Sequence, residues 1–391
     1  ELQDLTGYIA REKEAVQNVG GQISFIGEVV YSSTSLLNQY FSILTPQTES
    51  YLSKLRETYN VEFILEQIEL FKKKKVLVVR ETIIDEYIFC QPLGIANKAT
   101  CVNAQYKDTE LHLGGAAGIV KHLDEFCKEV SFVTSMDLEG EYPSFVKKKL
   151  GPNIQTKFFT LSQSYVVKKR FLTLGNQQNN QIFEMTHTNS NQTTTDTNTE
   201  QSIFKYLEQV SQNYDLIIVA DYGYNFINAK LAKFLCQLDN YLSVSAQTNS
   251  YNLGSNLLTK YSKADYICAD EPEIRLALGM ASANTKDLIP QLSKKLNCPK
   301  ISITLGDQGS FNWSQKNGFF KSTAFTTEVV DATGASSAYF GVSSLCAHSE
   351  LEPRLIGFIG NCVGAMMVRT LGHRQYVSPN TLSRFVTALL K

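Results

Sequence analysis

The chain of 391 residues lacks most of the features that assign a protein to a class quickly. It has no surplus of one charge. Its 37 lysines and arginines face 38 aspartates and glutamates, so no global field selects nucleic acid, an anionic membrane or an acidic partner. The eight cysteines, at 90, 101, 127, 236, 268, 298, 346 and 362, never come closer than eleven positions, which excludes the paired spacing of zinc ribbons and thioredoxin-like motifs. They read as reduced, mostly buried thiols, since nothing at the N-terminus resembles a secretory signal. The five histidines (112, 122, 187, 348 and 373) lack the i, i+4 pairing or carboxylate company of a metal site. The single Trp313 and nineteen tyrosines come without interleaved basic residues, so they read as packing rather than as a stacking platform. The longest apolar stretch, Leu355 to Val368, spans fourteen residues and includes Asn361, too short to cross a bilayer. It reads as a buried core helix. No transmembrane segment and no repeat of solenoid or propeller period are expected.

What is present is an alternation. From Val76 onward, short β-branched strands (Val76–Val79, Val130–Thr134, Leu216–Ala220, Leu242–Ser245, Tyr266–Ala269, Ile301–Leu305) alternate with helical segments. Such βαβ units imply an α/β fold with a largely parallel sheet covered on both faces. Lys72 to Lys75, directly before the first strand, reads as a solvated boundary rather than a nucleic-acid patch.

Residues 1–60 read as an attachment, with one short strand at Ile23–Ile26 and amphipathic helices at Ser35–Ile43 and Val61–Phe71 leading into the main domain at 61–391. Between Asn176 and Gln201, 18 of 26 residues are Asn, Gln or Thr, a composition that predicts a mobile surface insertion.

The most informative segment is Glu328-Val-Val-Asp-Ala-Thr-Gly-Ala-Ser-Ser-Ala-Tyr-Phe-Gly341, read as a strand, a small-residue turn and an apolar helix. Consecutive amides at such a helix start form a hole for phosphate oxygens. Here the chain resembles the PfkB carbohydrate-kinase family, whose signature is Asp-Thr-x-Gly-Ala-Gly-Asp or a close variant. The corresponding residues are Asp331-Ala332-Thr333-Gly334-Ala335-Ser336-Ser337. The resemblance makes Gly334, Ala335 and Ser336 the anion hole. It also puts Ser337 where the family's aspartate removes the proton from the attacking sugar hydroxyl. A serine is far too weak a base, and losing a positioned base costs about 10²–10⁴-fold in rate. Ser336 replaces a glycine and is expected to crowd the phosphate if the backbone there needs a glycine-only conformation.

Other segments match the family in order, from about Val76 to Lys391. The resemblance assigns substrate contacts to Asp85 (in VLVVRETIID, without the expected glycine), to Gly114 and Gly115, and to Asp221 of Asp221-Tyr222-Gly223, which is similar to a loop of heptose-phosphate kinases. Gly118 stands where an asparagine is common, and Lys168-Lys169-Arg170-Phe171 falls on the expected lid strands. Thr304, Gly306 and Gly309 match a nucleotide-side turn, and Asp270 with Glu273 matches the Asn-x-x-Glu motif that organises magnesium and phosphate. ATP and magnesium are the implied ligands, and loss of both is the alternative.

The fold implied is a ribokinase-like three-layer sandwich with a mainly parallel central sheet and a small β lid. The branch most resembled is the heptose-phosphate-kinase-like domain that follows a cytidylyltransferase. Ser32-Ser33-Thr34-Ser35-Leu36-Leu37-Asn38 is similar to the helix start closing that transferase, yet no His-x-Gly-His motif occurs, so residues 1 to about 45 read as a remnant. The expectation is a pseudokinase serving as an accessory subunit of a larger protein complex, retaining a site for sugar phosphate or nucleotide or retaining none. An active sugar or sugar-phosphate kinase and a non-catalytic nucleotide or sugar-phosphate sensor stand as alternatives. The non-methionine start and the polar expansion suggest an imported, mitochondrial-matrix protein, with the cytoplasm as the other compartment.

Overall fold

The computed structural model describes residues 16–19, 44–161, 165–173, 180–188 and 197–391. The chain divides into Glu1–Ile43 and Leu44–Lys391. The strand at Ile23–Ile26, the helix at Ser35–Ile43 and the transferase-like Ser32–Asn38 lie outside the described residues.

Within Leu44–Lys391 the first elements are helices α1 (Pro46–Thr58) and α2 (Val61–Leu70), each started by a side chain that accepts an amide of the first turn. Thr45 caps α1 and Asn60 caps α2, the latter at 2.8 Å from the Phe63 amide. Leu52 and Leu55, three apart on α1, are buried against the main core, so α1 and α2 belong to the compact unit that begins at Leu44.

The central sheet has nine strands in the order β13-β12-β11-β10-β9-β8-β1-β4-β5. Seven are parallel: β1 (Lys75–Val79), β4 (Glu129–Ser135), β5 (Gln155–Phe159), β8 (Leu216–Asp221), β9 (Tyr241–Ala246), β10 (Tyr266–Asp270) and β11 (Lys300–Thr304). The hairpin β12 (Ser310–Ser314) and β13 (Gly318–Ser322) closes one edge antiparallel. Alternate residues of each inner strand feed opposite cores. Val76 and Val78 join the cluster with helices α3 (Gly115–Phe126), α9 (Ala335–His348), α10 (Pro353–Met367) and α11 (Pro379–Leu390), while Leu77 and Val79 join the other. That is why these strands read as unbroken apolar runs: both faces are covered. Helices α4 (Glu141–Leu150), α5 (Thr197–Val210), α6 (Ala229–Leu235), α7 (Glu271–Leu278) and α8 (Thr285–Lys295) complete the layers.

A second sheet, β3-β2-β6-β7, is the lid: β2 (Thr82–Ile95), β3 (Val102–Gly114), β6 (Tyr165–Thr173) and β7 (Asn180–Thr188). The polar tract expected to be a loop over 176–201 contributes β7 and the start of α5, and the rest of it lies outside the described residues. Composition missed β7 because its strand character comes from pairing with β6 and from Phe183, stacked on Phe171 at 4.2 Å between centroids. Glu328–Val330 is not a strand; Val329 and Val330 are 52% exposed on an irregular approach to α9. No helix among the described residues is long and apolar enough to cross a membrane.

Candidate active site

The carboxyl ends of the parallel strands and the lid enclose two cavities that share Ala332 and Ser336 as a common wall. Open α/β sheets bind ligands at this edge. The smaller, about 210 Å³, is lined by Asp85, Gly115, Lys168, Arg170, Tyr222 and the turn Thr333 to Ser337. The larger, about 650 Å³, runs from Asp270 and Thr304 along Gly306 and Gly309 to the apolar Phe325, Val329 and Val368.

The turn between them is built by Asp331. One carboxylate oxygen accepts from the Thr333 amide at 2.8 Å, and the other accepts from Tyr87 Oη at 2.7 Å and the Gly372 amide at 2.9 Å. Burial alone would raise the Asp331 pKa, but these donors hold it below the usual range. Gly334 then adopts φ +84°, a left-handed conformation that suits glycine, and α9 starts at Ala335. The amides of Ser336 and Ser337 belong to the first turn, which has no intrahelical acceptors and carries the positive end of the helix dipole. Of the expected anion-hole residues, Ala335 donates its amide to the Ala332 carbonyl at 3.3 Å. The glycine-only backbone that would make Ser336 crowd a phosphate is absent, since its φ lies outside the positive region.

Ser337 is 5% exposed, and its Oγ lies 2.6 Å from Tyr222 Oη. Among the described residues, Asp85 is the carboxylate that lines the smaller cavity. It is committed elsewhere, since its Oδ1 accepts from Arg170 at 2.8 Å, and Arg170 also reaches Glu184 at 2.6 Å. Burial pushes the Asp85 pKa up; the charge and hydrogen bond of Arg170, with His373 and Lys168, outweigh it and leave the pKa lowered. A lowered carboxylate accepts hydrogen bonds well and protons poorly. Lys168 has no hydrogen-bond or ion-pair partner among the described residues, and burial lowers its pKa.

Gly114 and Gly115 serve this packing. A side chain at Gly114 would overlap the Asp85 carboxylate, and one at Gly115 (φ +51°) would overlap the Arg80 guanidinium. Arg80 was not among the expected site residues. It is fully buried, lies 3.2 Å over the Tyr222 ring, and none of its side-chain nitrogens has a partner among the described residues. Its signal was a charge placed directly after the apolar run Val76–Val79, where a parallel strand ends at the ligand edge. Tyr222 rather than Asp221 lines the cavity. Asp221 is fully buried behind it, bonded to Tyr261 Oη at 2.8 Å, to the Gly223 amide at 3.0 Å and to Lys260.

Thr304, Gly306 and Gly309, the turn expected beside a nucleotide, all line the larger cavity. Gly309 has φ +86°, and a side chain there would strike the Ser322 carbonyl. Asp270 lines it too, with Thr304 Oγ1 donating to its carboxylate; burial raises its pKa. Glu273 does not face the cavity. Its oxygens accept from the Asp270 amide at 2.8 Å, as the third residue of a capping box whose N-cap is Asp270, and from the Thr248 amide at 3.3 Å. Burial, then the neighbouring Asp270, raise its pKa to about 8. Of the two residues expected to hold magnesium, Asp270 lines the cavity and Glu273 does not. No cluster of three or more potential metal ligands occurs among the described residues.

Residues 73–379 match the pfkB family of carbohydrate kinases. The chain belongs to that family. It is 23% identical over 303 residues to the bifunctional protein HldE of Nitratiruptor, covering 77% of this chain and 62% of that protein. The chain spans about six-tenths of the length of the curated relatives it matches. Among solved structures, Thermotoga maritima ribokinase superposes with a TM-score of 0.59 at 16% identity, covering 80% of this chain and 99% of that one. Arabidopsis thaliana ribokinase complexed with ribose and ATP gives 0.58 at 14% identity, with 80% and 99% coverage. The ribokinase-like sandwich implied by the sequence is the observed fold.

Proposed function

We propose that this family member is a catalytically degenerate sugar kinase that serves as an accessory subunit of a larger assembly. The observation that carries the reading is Ser337, a neutral hydroxyl bonded to Tyr222, at the helix start where proton removal needs a carboxylate. Asp85, which lines the same cavity, is held by Arg170 and is a weak base, and Glu81 lies buried behind Tyr222, where it accepts the Tyr222 amide at 3.2 Å. An accessory role is supported by the lid hairpin, where Leu93, Ile95, Val102 and Tyr106 are 52–67% exposed, the kind of apolar surface that protein partners cover.

A second reading, a binder of nucleotide or sugar phosphate without turnover, is favoured by the 650 Å³ cleft and the unpartnered Lys168. In this second reading Thr304, Gly306 and Gly309 would hold the nucleotide and Asp270 a magnesium ion. The carboxylate of Asp85 orients a hydroxyl, and the α9 amides hold phosphate oxygens.

Calorimetric titration with Mg-ATP, alone and with heptose phosphates, separates the readings. Heat of binding without product supports the binder, and no binding supports a purely structural subunit. Turnover at the ordinary kinase rates of about 1–100 per second contradicts both.

A further inference from the structure

The smaller cavity, at about 210 Å³, falls below the range of about 300–1,000 Å³ usual for small-molecule sites, while the larger one, at about 650 Å³, falls inside it. One compartment of the cleft is undersized and the other is not. The residue that accounts for the difference is Arg80, which directly follows β1 and whose amide donates to the Val133 carbonyl at 3.0 Å. Its side chain packs against two walls of the smaller cavity, Gly115 and Tyr222. A side chain at Gly115 would overlap the guanidinium, whose carbon lies 3.2 Å from the centroid of the Tyr222 ring. Arg80 therefore fills the space directly behind those walls, and taking its side chain away would join that space to the cavity.

The placement is poorly compensated. Arg80 is fully buried, and none of its three side-chain nitrogens has a hydrogen-bond partner among the described residues. The adjacent Glu81 does not supply one, because its Oε1 accepts the amides of Tyr222 and Tyr224 at 3.2 and 3.1 Å and its Oε2 is itself unpartnered. A desolvated guanidinium held by ring stacking alone is costly, and local costs of this kind collect at functional sites. The stack is also fixed. Tyr222 Oη lies 2.6 Å from Ser337 Oγ, and the Tyr222 carbonyl accepts from Asn249 at 2.8 Å and from Asn252 at 2.7 Å, so the ring does not swing aside while these bonds hold.

We propose that Arg80 is a specificity-determining residue that plugs the smaller cavity and weakens its hold on a ring-sized sugar. The inference rests on reading that cavity as the acceptor side of a degenerate kinase site. It concerns a different quantity from the one Ser337 governs: Arg80 sets how tightly an acceptor is held, and Ser337 sets the rate of phosphoryl transfer to an acceptor already bound.

The test titrates ribose and a heptose phosphate by calorimetry into the full chain and into Arg80→Met, Arg80→Ser and Arg80→Gly. Methionine keeps most of the volume and removes the charge, whereas serine and glycine remove the volume as well. The expected result is binding at least about tenfold tighter for one or both sugars in Arg80→Gly, a smaller gain in Arg80→Ser and none in Arg80→Met. Methylguanidinium, which refills the vacated space, should compete with the sugar in Arg80→Gly, a readout that a merely structural role for Arg80 would not move. A folded Arg80→Gly that binds neither sugar more tightly than wild type overturns the proposal. So does an equal gain in Arg80→Met, which makes charge and not volume the determinant. Failure of both Arg80→Ser and Arg80→Gly to fold overturns it too, because a residue the fold cannot lose is part of the core and not a plug. Tighter binding accompanied by phosphoryl transfer at about 1–100 per second supports the plug and sinks the degenerate-kinase reading, whereas no gain and no transfer sink the plug alone.

Discussion

Replacing Arg170 by methionine tests whether Asp85 is locked. The Arg170 side chain is 11% exposed and that of Asp85 3%, with 2.8 Å between their charged atoms and a second bond from Arg170 to Glu184 at 2.6 Å. Breaking a buried pair from one side costs about 3–5 kcal/mol, because a desolvated charge is left behind. At roughly 2 °C per kcal/mol for a large domain, the melting temperature should fall by about 6–10 °C at neutral pH. The pH dependence gives the sign. In the wild type the Asp85 pKa is lowered, so its contribution is present above the unfolded value and is lost as pH falls through the folded one. In Arg170→Met, burial dominates and the pKa rises, so the variant should lose stability as pH climbs past the ordinary aspartate range. The gap between the two proteins should therefore narrow in acid. Arg170→Met/Asp85→Asn should recover most of the loss. A cost under about 1 kcal/mol, or a gap that does not shrink below pH 4, would refute the claim that this pair is locked.

His373 is 3% exposed, and its pKa is lowered by burial to about 4. The unfolded chain therefore binds the extra proton first, and stability should fall as pH drops from about 6.5 towards 4. His373→Leu should flatten that acid limb by about one proton in a plot of unfolding free energy against pH. Gly309→Ala forces a side chain into the Ser322 carbonyl at positive φ, and should cost at least about 1–3 kcal/mol in denaturant titration and weaken ATP binding. Tyr222→Phe, which removes the hydroxyl facing Ser337, should cost only about 1 kcal/mol and produce no turnover.

The sheet was legible because its inner strands are apolar on both faces, and the site because its turns need glycine where the backbone or a neighbour leaves no choice. Gly115, Gly309 and Gly334 were readable for that reason. What the sequence hid depended on distant partners. Arg80 stacks on Tyr222 across 142 positions of chain, and Asp85 is neutralised by Arg170 from the lid. Glu273 looked like a metal ligand because a capping box and an Asn-x-x-Glu motif share one spacing, and only the direction of its carboxylate separates them. Strand β7 hid in a polar tract because pairing, not composition, made it a strand.

The central claim is that this cleft lacks a base, and the most direct measurement is phosphoryl transfer from Mg-ATP to sugar and heptose-phosphate acceptors by wild type and by Ser337→Asp. A restored carboxylate at the start of α9 should raise transfer by about 10²–10⁴-fold over a wild type at background. Wild-type transfer at about 1–100 per second, with Ser337→Asp no faster, would contradict the account.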